Sequence, residues 1–365
     1  MKKTFLFLIT LIFLLGCSQS KKKEIKIGAI LPLTGPVAAF GQWAKNGIDL
    51  GLEEYNKTHP ESNNIIVVYE DSKNDAKTGL FAYNKLKTND NVDAVIVAMS
   101  KVSIPILEQP NRDIPVLLQD VTFPHITDRY NNVIRHFIQS DREAKILSNF
   151  AIEDLKLKTC GILFVNDEAG VGAKDAFLEL FTKNGKILIA ESFEANTKDV
   201  KTQVTKIINA KPECIFLFGN GPSWALALRT VRELNYQGAI LTNTALYIPN
   251  FRKIAGEAVE GVYFTYPYID TTEVSSKIFV DAYMKKYGEF PPIEAAYGYD
   301  LLKIIISSIS LNETNSSNIK DKLLDVKEFD GAYGMLTVPT NKDILTKVAL
   351  AKYGNDTLIN LKITK

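Results

Sequence analysis

From Glu24 onward, short and continuously apolar runs alternate with longer stretches whose apolar residues recur every three or four positions. The first kind fits strands buried on both faces, the second amphipathic helices. Ile25–Leu31, Ile65–Glu70, Ala94–Ala98 and Val116–Leu118 read as strands, with helices at Ala39–Asn56, Asp75–Lys87 and Val102–Arg112. Pro105 lies inside the last helix, where its missing N–H should mark a break or a first turn. A second series of strands follows at Gly161–Val165, Ile187–Ser192, Cys214–Phe218, Ala239–Leu241 and Gly261–Thr265. Its helices are Gly170–Lys183, Val200–Ala210, Ser223–Leu234 and Pro249–Gly256. The alternation predicts two successive α/β units of roughly 120 residues, each a doubly wound parallel sheet with helices on both faces.

Past Pro267 the pattern changes to helices at Val274–Tyr287, Pro292–Ile309 and Ile319–Leu324. Strand-like runs close the chain at Tyr333–Leu336, Thr346–Tyr353 and Thr357–Ile363, with Gly354-Asn355-Asp356 signalling a hairpin. These late elements make sense if the helices return to the first unit and the hairpin to the second.

Composition sets the class but not the activity. The 365 residues are 46% hydrophobic and 23% charged, enough apolar side chain for sizeable cores. Lys2 and Lys3 precede an apolar run from Phe5 to Leu15, the order of an export signal. Eleven helical residues span only about 16 Å against a hydrocarbon core of about 30 Å, which disfavours a permanent membrane span. Leu14-Leu15-Gly16-Cys17 resembles a bacterial lipobox, in which the Cys17 thiol is lipidated and Cys17 becomes the new N-terminus after cleavage; ordinary signal cleavage nearby is the alternative. Residues 1–16 are then the signal peptide and 17–23 a lipidated tether, its Lys21, Lys22 and Lys23 a solvated spacer beside anionic headgroups. Setting aside Lys2 and Lys3 takes the formal charge from +1 to −1, and setting aside the tether lysines takes it to −4. No basic surface of the kind nucleic acid requires is expected. Cys160 and Cys214 each open an apolar run and read as buried free thiols, with a disulfide between neighbouring strands the alternative.

The motifs of common enzymes do not appear. Gly219-Asn220-Gly221 and Gly170-Val171-Gly172 lack the third glycine of a dinucleotide fingerprint, having Trp224 and Asp175 there. His59, His125 and His136 are scattered and form no zinc pattern, and no nucleophile elbow is present. Neither a metal nor a cofactor is expected, and no enzymatic activity.

In open α/β sheets ligands bind beyond the carboxyl ends of the strands. The loops there carry Pro32 to Gly41, Met99-Ser100-Lys101, Gln119-Asp120-Val121-Thr122, Asn166-Asp167-Glu168, Gly219-Asn220-Gly221 and Asn243-Thr244. Such hydroxyls and amides at helix starts bind anions or serve as plain caps, and Ser100 and Thr122 fit either role.

Several of these segments resemble one family. The lipobox, Ile27-Gly28-Ala29-Ile30-Leu31-Pro32-Leu33-Thr34-Gly35-Pro36, Asn46-Gly47, Asp120-Val121-Thr122-Phe123-Pro124, Glu260-Gly261-Val262 and Ala296-Tyr297-Gly298-Tyr299-Asp300 are similar to the marks of the branched-chain amino-acid (Leu/Ile/Val) type of periplasmic substrate-binding protein. The resemblance runs from Glu24 to the C-terminus. It implies a two-lobed type I periplasmic-binding-protein clamshell whose chain crosses between lobes three times. Lobe one would be 24–137 with 266–330, and lobe two 138–265 with 331–365. It further implies a monomeric, lipid-anchored receptor at the periplasmic or outer cell surface, delivering a small solute to an ABC permease. A sensor signalling to a membrane partner is the alternative.

By that likeness Ser100 and the neighbouring amides of Lys101 and Val121 would take a ligand carboxylate, with Thr122 and Phe40 beside them. Asn220 would contribute from the second lobe. The acidic residue that amino-acid binders of the family place on lobe two, to meet the ammonium, is replaced here by Thr244. The charge must then come from Asp120, Asp167 or Glu168, or the ligand is a small carboxylate or amide rather than an α-amino acid. Asp120 fits a loop cap equally well.

Overall fold

The computed structural model describes residues 24–60, 64–110, 113–310, 319–355 and 357–364. The apolar leader, Cys17, the tether lysines and Arg112 lie outside the described residues. The first segment runs β1 (Glu24–Leu31), α1 (Ala38–Thr58), β2 (Asn64–Asp71), α2 (Ala76–Lys85), β3 (Ala94–Ala98), α3 (Ser100–Leu107), β4 (Val116–Gln119) and β5 (Val133–His136). The second runs α4 (Ser140–Glu153), β6 (Thr159–Val165), α5 (Glu168–Phe181), β7 (Lys186–Phe193), α6 (Lys201–Asn209), β8 (Cys214–Phe218), α7 (Gly221–Glu233), β9 (Ala239–Thr242), α8 (Pro249–Ala255) and β10 (Tyr263–Pro267). The remainder is α9 (Val274–Tyr287), α10 (Ile293–Ser310), α11 (Ile319–Asp325), β11 (Glu328–Gly331), β12 (Gly334–Thr337), β13 (Asp343–Ile344), β14 (Val348–Gly354) and β15 (Thr357–Thr364).

Two sheets result. The first has the order β13-β5-β4-β3-β1-β2 and every pairing in it is parallel. The second has the order β15-β14-β10-β9-β8-β6-β7, parallel from β7 to β10 and closed by the antiparallel β14 and β15. In each, the strand that opens the unit lies between the second and the third, so the order reverses at β1/β3 and at β6/β8. Those reversals are the switch points where α/β sheets open a crevice for ligand.

Alternation along the first sheet shows why its strands are apolar throughout. Ile25, Ile27, Ala29 and Leu31 face one core with Ala94, Ile96 and Ala98, while Ile30, Val95 and Val97 face another. α1 and α10 cover the first of these faces at very close range. A Cβ on Gly47 would lie 1.9 Å from the Ala295 carbonyl oxygen, and one on Gly298 2.4 Å from that of Ala44. Only glycine at both positions lets the two backbones meet.

Some expectations need correction. α3 begins at Ser100 and runs through Pro105, ending two residues beyond it, so the proline shortens the helix instead of opening it. β5, β11, β13 and α4 are additional to the predicted elements. The return to the second lobe does not occur at Gly331: Ala332, Tyr333, Leu336 and Ile344 are buried in the first lobe's core, and β13 pairs with β5. The reason is electrostatic as well as apolar, since Asp343 meets the buried Arg135 and the Ala332 N–H donates to Asp300. The chain crosses back around Leu345–Lys347. Its earlier crossing also comes later than predicted, because β10 stays in the second sheet through Pro267. The hairpin predicted after Tyr353 forms as β14 and β15. Cys160 and Cys214 are free, buried and opposite one another on β6 and β8.

Candidate functional site

The loops after the strands of both sheets meet across a cleft. Phe40, in the first turn of α1, is buried with its ring edge-on to Trp43 at 5.8 Å, and it reaches Phe251 of α8 in the other lobe at 6.1 Å. Pro124 after β4 approaches α5 so closely that a Cβ on Gly172 would lie 2.8 Å from its Cγ. Tyr247, in the loop after β9, packs against the cores of both lobes, its ring flat on Tyr266 at 4.4 Å.

On the first lobe Ser100 opens α3, half-buried, after Met99 at a left-handed φ of 76°. Its neighbour Lys101 is exposed, and its charge acts on Asp75, the N-cap of α2. Asp120 turns the chain away from β4 at a φ of 55°, and its Oδ2 accepts a hydrogen bond from Gln119 Nε2 at 3.1 Å. Burial pushes the Asp120 carboxyl up to about 7, against the opposing hydrogen bond from Gln119. Val121 is an apolar core residue, and the half-buried Thr122 accepts from the Ser140 N–H at 2.8 Å where the chain enters α4. Arg135 lies beneath this loop, its guanidinium donating to the carbonyl of Phe123 and bridging to Asp343.

On the second lobe the predicted residues divide. Asp167 is an exposed N-cap, its Oδ1 accepting from the Gly170 N–H at 2.8 Å, which accounts for its presence without a ligand. Glu168 is also exposed. Asn220 is exposed at the start of α7, its carbonyl accepting from Ser223 Oγ. Thr244 is buried, and both its N–H and its hydroxyl donate to one oxygen of Glu143, at 2.7 and 2.5 Å. Thr265 donates to the same oxygen at 2.9 Å, while Glu143 Oε2 is buried without a partner among the described residues. Burial raises the Glu143 carboxyl to about 7, opposed by the Thr244 and Thr265 hydrogen bonds and by the Arg142 charge.

A carboxylate therefore does stand at the Thr244 position, one layer behind it. Glu143 and a further buried acid, Glu294 in the first turn of α10, escaped the loop-based reading because both sit inside helices. An acid within an otherwise apolar helical face, Ile293, Ala295 and Ala296 in the second case, is the signal that marks them.

Two doubly wound sheets of the same strand order, facing each other by their switch points across a hinge of three crossings, define a type I periplasmic-binding-protein fold. The chain belongs to the periplasmic binding protein family, whose model matches residues 24–357. It is similar to a Leu/Ile/Val-binding protein of Rhizobium johnstonii, 27% identical over 93% of this chain and 94% of that protein. Among solved structures it resembles the leucine-binding protein LivK of Thermotoga maritima, with a TM-score of 0.85, 25% identity and coverage of 93% of this chain and 99% of that one. A Rhodopseudomonas palustris solute-binding protein in complex with 4-hydroxybenzoate shares the fold at a TM-score of 0.82 and 18% identity, over 94% of this chain and 97% of the other. The protein is thus an ABC-transporter substrate-binding protein of the branched-chain amino-acid type, a class of small-ligand binders and not of enzymes.

Proposed function

We propose that this protein is a lipid-anchored extracytoplasmic receptor that encloses an amino acid or a related small carboxylate or amide between its lobes and delivers it to an ABC permease. The observation that carries this reading is the meeting of both sets of strand-end loops, Phe40 on Phe251, with polar groups on either side. A ligand that satisfies both lobes at once stabilises only the closed state, so capture and closure are one event.

The carboxylate would be held at Ser100 and the amides that open α3, with Thr122 opposite and Phe40 as the apolar lid. Lys101 would contribute its backbone N–H at the start of α3. Calorimetry with a panel of amino acids and small carboxylates should find a ligand of at least micromolar affinity. Ser100→Ala should weaken that ligand about tenfold or more, the loss of a charge-assisted hydrogen bond. An unchanged affinity would remove Ser100 from the site.

A further inference from the structure

Cysteine occurs three times in the chain, and apart from Cys17 the other two meet in the second lobe. Cys160 on β6 and Cys214 on β8 are register partners on adjacent parallel strands, and both are fully buried. Register partners in a sheet send their side chains to the same face, with backbones about 5 Å apart. That separation lies inside the window of roughly 4.4–6.8 Å between Cα atoms that a disulfide spans. The Cys214 thiol already reaches across to β6, donating to the Thr159 carbonyl at 3.6 Å, while Cys160 Sγ donates to the Gly161 carbonyl at 3.2 Å.

The two positions also mark a junction in the fold. Between them the chain makes one excursion through α5, β7 and α6, leaving from β6 and returning at β8. β7 is the edge strand of its sheet, paired among the described residues with β6 alone. Cys160 and Cys214 stand at the amino ends of their strands, remote from the cleft, so a bond between them would fasten the base of this excursion and leave the strand-end loops untouched.

We propose that Cys160 and Cys214 form a disulfide as the exported chain folds, and that it ties the edge excursion of lobe two to the centre of its sheet. The proposal rests on the extracytoplasmic placement of the receptor, where disulfides persist. Both S–H bonds break and one S–S bond forms; two electrons and two protons pass to an external disulfide, which is reduced to two thiols. Burial fixes the timing, because exchange needs access and a thiolate. Burial, together with the neighbouring Cys214, holds the Cys160 thiol well above its ordinary value. Exchange therefore stops once β8 docks on β6, so the bond forms during folding and afterwards resists reductant.

The test is made on the full-length protein recovered from exporting cells, unfolded in guanidinium with iodoacetamide and no reductant, and digested for mass spectrometry. A peptide pair linked through Cys160 and Cys214 should appear, and it should be lost when dithiothreitol is added after unfolding but not when it is added to the native protein. Closing a loop of about fifty residues should also matter for stability: the protein refolded in dithiothreitol should melt about 5 °C or more below the oxidised form. Alkylation of both cysteines in the exported protein overturns the bond and leaves the receptor standing. Equal melting temperatures of the two forms overturn the tie. A chain that stays inside the cell fails the receptor reading instead, and refolding of the reduced chain in oxidised glutathione then decides the bond by itself: linkage upholds it, two free thiols overturn it.

Discussion

Arg135 and Asp343, 208 residues apart in the chain, form a two-pronged buried ion pair, Nε to Oδ1 at 2.6 Å and Nη2 to Oδ2 at 2.9 Å. The same guanidinium holds the Phe123 carbonyl, so the pair fastens the Val121–Phe123 loop to the last strand of the first sheet. Asp343→Ala strands a buried guanidinium and should cost about 3–5 kcal/mol in urea unfolding. Replacing both residues by apolar ones of similar volume should cost clearly less. Equal losses in the single and double variants would mean that packing, not charge, governs the site.

The buried carboxyls set a pH profile of definite sign. Asp120 and Glu143 keep their protons to about pH 7 in the folded protein, whereas in the unfolded chain they lose them near pH 4. Between those values the folded state binds more protons, so stability falls as pH rises from about 5 to 8. Glu143→Gln keeps an oxygen for Thr244 and Thr265 and should flatten this slope, with little loss at pH 5. Melting temperatures from pH 5 to 8 check it; a parent protein that gains stability over that range would contradict the assignment.

Phe251→Ala removes the second-lobe partner of Phe40 and trims a partly buried side chain at the margin of the second lobe's core. The melting temperature should fall only modestly. An aromatic contact of about 0.5–1.5 kcal/mol that exists only when the lobes meet should shift the population toward open and weaken ligand two- to tenfold. A larger radius of gyration in solution scattering, reversed by saturating ligand, is the accompanying signature.

Cys17 is the proposed lipidation site, so Cys17→Ser should move the protein from the membrane fraction to the soluble extracytoplasmic fraction without altering affinity for its ligand. Retention on membranes would point to another attachment.

The parallel strands of both sheets are legible in the sequence because a strand buried on two faces is continuously apolar, as in Ala94–Ala98 and Cys214–Phe218. The short β5, Val133-Ile134-Arg135-His136, could not be read that way. Two of its four residues are ionisable, and they are buried only because Asp343 and Asp300 wait for them far along the chain. For the same reason the return crossing was set too early: nothing local in Gly331 to Ile344 reveals that these partners lie in the first lobe. In the site, the strand-end loops are legible because topology dictates their place, but Glu143 and Glu294 enter from helices, and the partners of Glu143, Thr244 and Thr265, lie about 100 residues further along the chain.

The hinge is more than three strands of chain passing side by side. Tyr268 donates its backbone N–H to the Lys347 carbonyl, Arg142 donates to that of Thr346, and Lys347 is ion-paired to Asp270 and Glu273. Laced in this way, the crossings favour bending about one axis over twisting. Glu24, where β1 begins, is at the end of the first sheet remote from the cleft. A molecule held at that pole would keep lobe one as the fixed jaw and leave lobe two to swing, with its mouth turned away from the point of attachment.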